Sequence, residues 1–254
     1  MAQKEFERLV EIVSTLRGPE GCPWDREQTH LSMKPYLLEE AYEVLDSIDR
    51  PDGEGLAEEL GDLLLQIVFH SRLAEEKGGF TITDVIRGIN EKLVRRHPHV
   101  FAEADIRTAE EQTRHWEKIK KQEGKFSVLD GVPRTAPALL RAYRVQQKAA
   151  TVGFDWKSPE PVLDKVREEL AELEAEMESD RQDRITEEFG DFLFSMVNLS
   201  RFLRLHPEEC LSAAVDKFTD RFRRMEAVFR EKGLSMESRT LEEMDAVWNE
   251  VKRS

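Results

Sequence analysis

Apolar residues recur along this chain at steps of three and four, and no stretch shows the alternation of a strand. The pattern predicts a first amphipathic helix from about Phe6 to Arg17. A loop rich in helix breakers follows, Gly18-Pro19-Glu20-Gly21-Cys22-Pro23-Trp24-Asp25. A second helix is expected from near Pro35 to Asp49, stopping at Arg50-Pro51-Asp52-Gly53, and a third from Leu56 to Lys77, ending at Gly78-Gly79. Thr83 is the expected cap of a fourth, which reaches Arg95-Arg96-His97-Pro98-His99, and another covers about Thr108 to Gln122. Gly124 to Pro137, with Gly131, Pro133 and Pro137, reads as the connection between two halves, residues 1–123 and 138–254. Beyond it, Ser158-Pro159-Glu160 marks a helix start, Pro207 a first-turn proline, and Thr240 with Glu243 a capping box. The expected fold is all-α.

The two halves repeat. Four carboxylates of the first, Glu40, Glu43, Glu59 and Asp62, recur as Glu169, Glu172, Glu188 and Asp191; 169−40, 172−43, 188−59 and 191−62 all equal 129. Lys92 and Arg96 match Lys217 and Arg221, and Trp116 and Lys120 match Trp248 and Lys252. A duplicated helical module explains these matches.

Glu40 and Glu43 lie three apart, so they project from one helix face on successive turns, and Glu59 with Asp62 repeats the spacing on the next helix. A short connection makes the two helices antiparallel neighbours, so the four acids converge between them. A solvated acidic face is the competing reading. Against it stand the apolar runs after Asp62 (Leu63-Leu64-Leu65-Gln66-Ile67-Val68-Phe69) and after Asp191 (Phe192-Leu193-Phe194-Ser195-Met196-Val197), which predict helices buried in a bundle. Acids at the edge of such helices are partly desolvated, and like charges held close take up a proton or a cation. Oxygen donors select a hard cation, Mg²⁺ with Mn²⁺ as substitute. A ferritin-like di-iron site needs Glu-x-x-His on two helices. The only such spacing nearby, Glu27 to His30, has no counterpart in the second half.

Charge changes the picture next. The formal net charge of −14 over 254 residues argues against a dedicated nucleic-acid binder. No apolar run approaches the ~20 residues that span a bilayer. Met1-Ala2-Gln3-Lys4-Glu5 opens an amphipathic helix and not a signal peptide, and Cys22 and Cys210 make neither a disulfide framework nor a metal spacing. A cytoplasmic protein is expected.

Cys22-Pro23-Trp24-Asp25, the Glu-Glu-x-x-Glu and Glu-Leu-Gly-Asp elements, Arg95-Arg96-His97-Pro98-His99-Val100-Phe101 and Val152-Gly153-Phe154-Asp155-Trp156 together resemble the MazG family across essentially the whole chain. That family comprises all-α nucleoside triphosphate pyrophosphohydrolases, relatives of dimeric dUTPases and phosphoribosyl-ATP pyrophosphatases. The resemblance implies tandem helical bundles completed by homodimerisation, and Mg²⁺-dependent hydrolysis of NTP or dNTP to the monophosphate and pyrophosphate. It implies metal at Glu169, Glu172, Glu188 and Asp191 and at their first-half counterparts. It also assigns nucleotide contacts to Lys217, Arg221, Trp248 and Lys252. Glu168 and Glu187, beside the ligands, are the candidates to orient or deprotonate water. Lys165 and Arg184, each one turn before an acid, are candidate phosphate partners. Subtracting 129 from these two gives Tyr36 and Gly55, so the first half keeps the acids and lacks two cations, with Lys34 and Arg95 as possible replacements. The second half is therefore expected to be the more active. Trp24 and Trp156 are expected to pack their loops or contact a base, and His97 and His99 to stabilise a turn or touch phosphate. A nucleotide-sensing regulatory protein with little turnover is the alternative reading.

Overall fold

The computed structural model describes residues 1–50, 53–102, 108, 127–179 and 181–253. Every regular element among them is helical. The chain divides into two compact units, Met1–Arg107 and Thr108–Ser254.

The first unit contains α1 (Ala2–Leu16), α2 (Pro23–Glu27), α3 (Lys34–Asp49), α4 (Leu56–Glu75), α5 (Ile82–Arg96) and α6 (Pro98–Phe101). The breaker-rich loop is not wholly irregular: Pro23, with φ already set near the helical value, starts the short α2. Thr81, and not Thr83, caps α5. Its hydroxyl accepts from the Asp84 backbone N–H, while the Asp84 carboxylate accepts from Thr81, so the reciprocal box fixes the start two residues early. α3 and α4 form a helical hairpin, and α1 packs on α4 around Val13, Met33, Val68, Phe69 and Leu73. The Arg17 guanidinium, buried at the end of α1, pairs with Glu76 at 2.7 Å and joins the far ends of these helices. That hydrogen bond holds the Glu76 carboxyl below its usual range.

The second unit contains α7 (Ala138–Ala150), α8 (Pro159–Ser179), α9 (Gln182–Phe202), α10 (Pro207–Glu231), a 3₁₀ turn (Met236–Ser238) and α11 (Leu241–Val251). Pro207 sits in the first turn of α10, and Thr240 with Glu243 closes the expected capping box on α11. α8 and α9 form the hairpin equivalent to α3 and α4, with α7 against α9. α10 and α11 pack on each other through Met225, Phe229 and Val251. The helix expected over about Thr108 to Gln122, with Trp116 and Lys120, lies outside the described residues apart from Thr108.

The apolar helices are covered on fewer sides than their sequences predict. Leu60, Leu64 and Ile67 on α4, and Phe189, Leu193, Phe194 and Met196 on α9, remain exposed. Each hairpin buries one flank of its apolar helix, and the other flank is left to solvent.

Candidate functional site

Glu169 and Glu172 stand one turn apart on α8, and Glu188 faces them from α9; a carboxylate oxygen of each lies within 4.8 Å of the others. Glu169 and Glu188 are only 7% exposed, so the acids are desolvated as their setting on apolar helices implies. Burial pushes the Glu188 carboxyl above its ordinary value; Arg184 opposes this, and the charges of Glu172 and Asp191 add to it. Asp191 stands near enough to act on Glu188 by its charge but falls outside the tight group of three.

Two cations neutralise this cluster. The Lys165 ammonium reaches Glu169 at 2.8 Å and Glu168 at 2.7 Å. The Arg184 guanidinium reaches Glu188 at 2.8 Å and also pairs with Glu187. Each acid lies four residues after its cation, the spacing at which helical side chains meet. The hydrogen bonds to Glu168 and then Glu169 hold Lys165 well above the usual lysine range. Glu168 and Glu187, the candidate water-orienting groups, are thus ion-paired and solvent-facing.

The first unit brings together Glu40, Glu43 and Glu59 in the same way, again within 4.8 Å, with Asp62 outside the group. Glu40 is pushed up by burial, then by the charges of Asp62 and Glu43, against a hydrogen bond from Gln66. Glu59 is pushed up by burial and then by Glu43. The ion pairs of the described residues in this unit join Arg17 and Arg72 to Glu76, Arg72 to Glu75 and Arg87 to Asp84, and none involves these three acids. The backbone explains half of the difference. α9 begins at Gln182, which corresponds to Gly53 (182−129), so Arg184 lies inside it; α4 begins three residues later in register, at Leu56. Gly55, where Arg184 would fall, caps α4 at φ +82°, a conformation that strains any L side chain.

Beside the second cluster lies a cavity of about 260 Å³. Lys165, Glu169 and Asp191 line one part of it, and Phe154, Trp156 and Phe194 supply aromatic walls. Trp156, 43% exposed, is among the cavity's lining residues. Three polar lining residues escaped the sequence reading: Gln146, Asn198 and Arg201. Asn198 and Arg201 did carry a signal, as polar residues breaking the apolar run after Asp191. By contrast, Lys217, Arg221, Trp248 and Lys252 stand on or just after α10 and α11; none lines this cavity or pairs with the acids. Trp248 packs on Phe218 at 5.2 Å between ring centroids. His97 Nδ1 bonds the Leu93 carbonyl at 2.7 Å at the α5–α6 junction, a turn-stabilising contact. His30 stacks on His70, with the two Nδ1 atoms 2.8 Å apart, and takes no part in the acidic cluster.

Two segments of the chain, residues 28–101 and 157–225, match the family described as "MazG nucleotide pyrophosphohydrolase domain". The chain belongs to the MazG family. The matched segments begin 129 residues apart (157−28), the offset of the repeated acids, and each contains one MazG hairpin with its carboxylates. Trp248 and Lys252 lie beyond them. The chain is 50% identical over 250 residues to the "Nucleoside triphosphate pyrophosphohydrolase/pyrophosphatase MazG" of Thermotoga maritima, covering 97% of this chain and 95% of the relative. It is 46% identical over 256 residues to the "Nucleoside triphosphate pyrophosphohydrolase" of Escherichia coli strain K12, covering 98% and 97%. A Bacillus subtilis relative, "Uncharacterized protein YabN", is 46% identical over 254 residues, which span 98% of this chain and 52% of the relative.

Proposed function

We propose that this MazG protein hydrolyses nucleoside triphosphates, ribo or deoxy, to the monophosphate and pyrophosphate, with Glu169, Glu172, Glu188 and Asp191 as the metal-binding acids of the working site. The observation that carries the reading is the convergence of three acids, two of them buried, beside a cavity with aromatic walls. The donor set suits Mg²⁺ or Mn²⁺: it is all oxygen, and burial with the charges of Glu172 and Asp191 pushes Glu188 up, a pressure that a divalent cation relieves. When bound, such a cation neutralises triphosphate oxygens and lowers the pKa of an attacking water. The chain's own residues do the rest. Lys165 and Arg184 exchange an acid for phosphate oxygens as the triphosphate enters. Glu168 and Glu187, released from those cations, orient the water that attacks phosphorus and accept its proton while the bond to pyrophosphate breaks.

Lys217, Arg221, Trp248 and Lys252 join the nucleotide site in a homodimer, whose contact surface is supplied by the apolar flanks exposed on α4 and α9. Residues 124–137 connect the modules. No helix of the described residues is long and apolar enough to cross a membrane. With the strongly acidic charge this supports a cytoplasmic enzyme of nucleotide-pool control, acting without nucleic acid or membrane. The first site, whose acids pair with no cation among the described residues, better suits binding with little turnover. A screen of standard and modified nucleoside triphosphates for Mg²⁺-dependent pyrophosphate release tests the reading, and absence of release from all of them defeats it.

A further inference from the structure

The cavity wall contains two amide side chains, each with one end committed and the other open. The Asn198 Oδ1 accepts from Arg201 Nε at 3.2 Å and Nη2 at 3.0 Å. Arg201 is held in turn by both carboxylate oxygens of Asp155, with Nη1 to Oδ2 at 2.9 Å and Nη2 to Oδ1. Asn198 is only 6% exposed, and its Nδ2 donates to no described group. Arg201 therefore decides which way the amide points, because a guanidinium only donates and the flipped amide would present N–H to N–H. On the facing helix, Gln146 Nε2 donates to the Phe194 carbonyl at 2.8 Å, and its buried Oε1 has no donor. Gln146 and Asn198 thus line one cavity with an unused acceptor and an unused donor.

The same cavity is lined by the aromatic side chains Phe154, Trp156 and Phe194 and by Lys165, Glu169 and Asp191 of the acidic cluster. The ligand that matches both sets is a flat heteroaromatic ring with hydrogen-bonding edges, joined to a polyanion. We propose that the cavity is the base seat of the nucleotide and that Asn198 reads an acceptor on the base edge, with Asp155 and Arg201 as its positioning residues. This rests on the reading of the acidic cluster as a triphosphate site. The first unit has no amide at the equivalent position. At the position of Asn198 (198−129) it carries Phe69, buried at 3% with Arg17 over its ring at 5.2 Å; at that of Arg201 it carries Arg72, which pairs with Glu75 and Glu76.

The test compares wild type, Asn198→Leu and Asp155→Asn in steady-state hydrolysis of ATP, GTP, CTP and UTP, with inorganic tripolyphosphate as a base-free competitive inhibitor. Asn198→Leu is expected to raise KM for the preferred nucleotide by about 10- to 100-fold, with a much smaller change in kcat. The inhibition constant for tripolyphosphate should stay within about twofold, because the acids and cations are untouched. Asp155→Asn, which loosens Arg201, should move KM in the same direction by less. An unchanged KM in Asn198→Leu overturns the proposal, as does an equal loss of nucleotide and tripolyphosphate affinity. Should Asn198→Leu lose its helical circular dichroism, Asp155→Asn decides, and an unchanged KM there overturns it. Failure of wild type to hydrolyse any triphosphate removes the underlying reading, an outcome distinct from an active enzyme indifferent to Asn198.

Discussion

The two MazG modules set the same three acids within the same distance of one another, yet they balance the charge differently. In the second, Lys165 and Arg184 neutralise Glu169 and Glu188 from one turn away on the same helices. In the first, Glu40 and Glu59 face other carboxylates with no described cation, and both are pushed above their ordinary values. The arginines at equivalent places also diverge: Arg201 orients Asn198 at a cavity, whereas Arg72 is spent on Glu75 and Glu76. Keeping the metal-type acids therefore does not keep the site. A working pocket also needs counter-charges and a shaped wall beside the acids, and among the described residues the second module holds both.

Four predictions bear on that contrast. The largest effect is expected from the acids themselves. Glu172→Ala should lower pyrophosphate release by about 100- to 1,000-fold, the several kcal/mol carried by a metal ligand, and Glu43→Ala by less than about tenfold. A greater loss for Glu43→Ala reverses the ranking of the modules. Next, Glu168→Gln or Glu187→Gln should reduce turnover by about 100-fold while sparing Mg²⁺-dependent nucleotide binding in calorimetry. Unchanged turnover in both variants removes these residues from the water-activating role.

A smaller effect should make the second module resemble the first. Arg184→Met leaves Glu188 buried without its cation and should lower unfolding stability by about 1 kcal/mol, since the pair is half exposed on the arginine side. Mg²⁺ should restore more stability to this variant than to wild type in thermal melts, and equal gains would break the counter-charge argument. The smallest effect concerns the first module's arginine clamp. The Glu76 carboxyl is held low, so its contribution is complete above the unfolded value of about 4.3 and is lost as pH falls through the folded value. Glu76→Gln should therefore cost about 0.5–1 kcal/mol in denaturant unfolding at pH 7 and almost nothing near pH 3. A pH-independent difference would assign the loss to packing.

The fold class and the repeat were legible because both rest on short-range spacing. The 129-residue offset, the paired acids, and the caps at Pro207 and Thr240 can all be read within a few turns of helix. The one misplaced cap, Thr83 for Thr81, came from two threonines two residues apart, of which only Thr81 has an acid three residues on. Lys165 and Arg184 were read as phosphate partners, and the structure shows each paired with an acid of the cluster. The cavity was not legible. Gln146, Asp155 and Asn198 come from α7, a loop and α9, and no local spacing relates them. Nor could periodicity reveal that the apolar helices would be left half covered, because that depends on what packs against each hairpin.

The placement of each cation on the same helix as its acid bears on the order in which the molecule assembles. An (i, i+4) pair forms as soon as its helix does, before any long-range contact. α8 and α9 therefore approach with Glu169 and Glu188 each already paired, which lowers the repulsion between the acids that meet there. The acids of α3 and α4 have no such (i, i+4) cation on their own helices, so closing that hairpin meets more repulsion. Refolding in divalent salt should accordingly speed the first module more than the second.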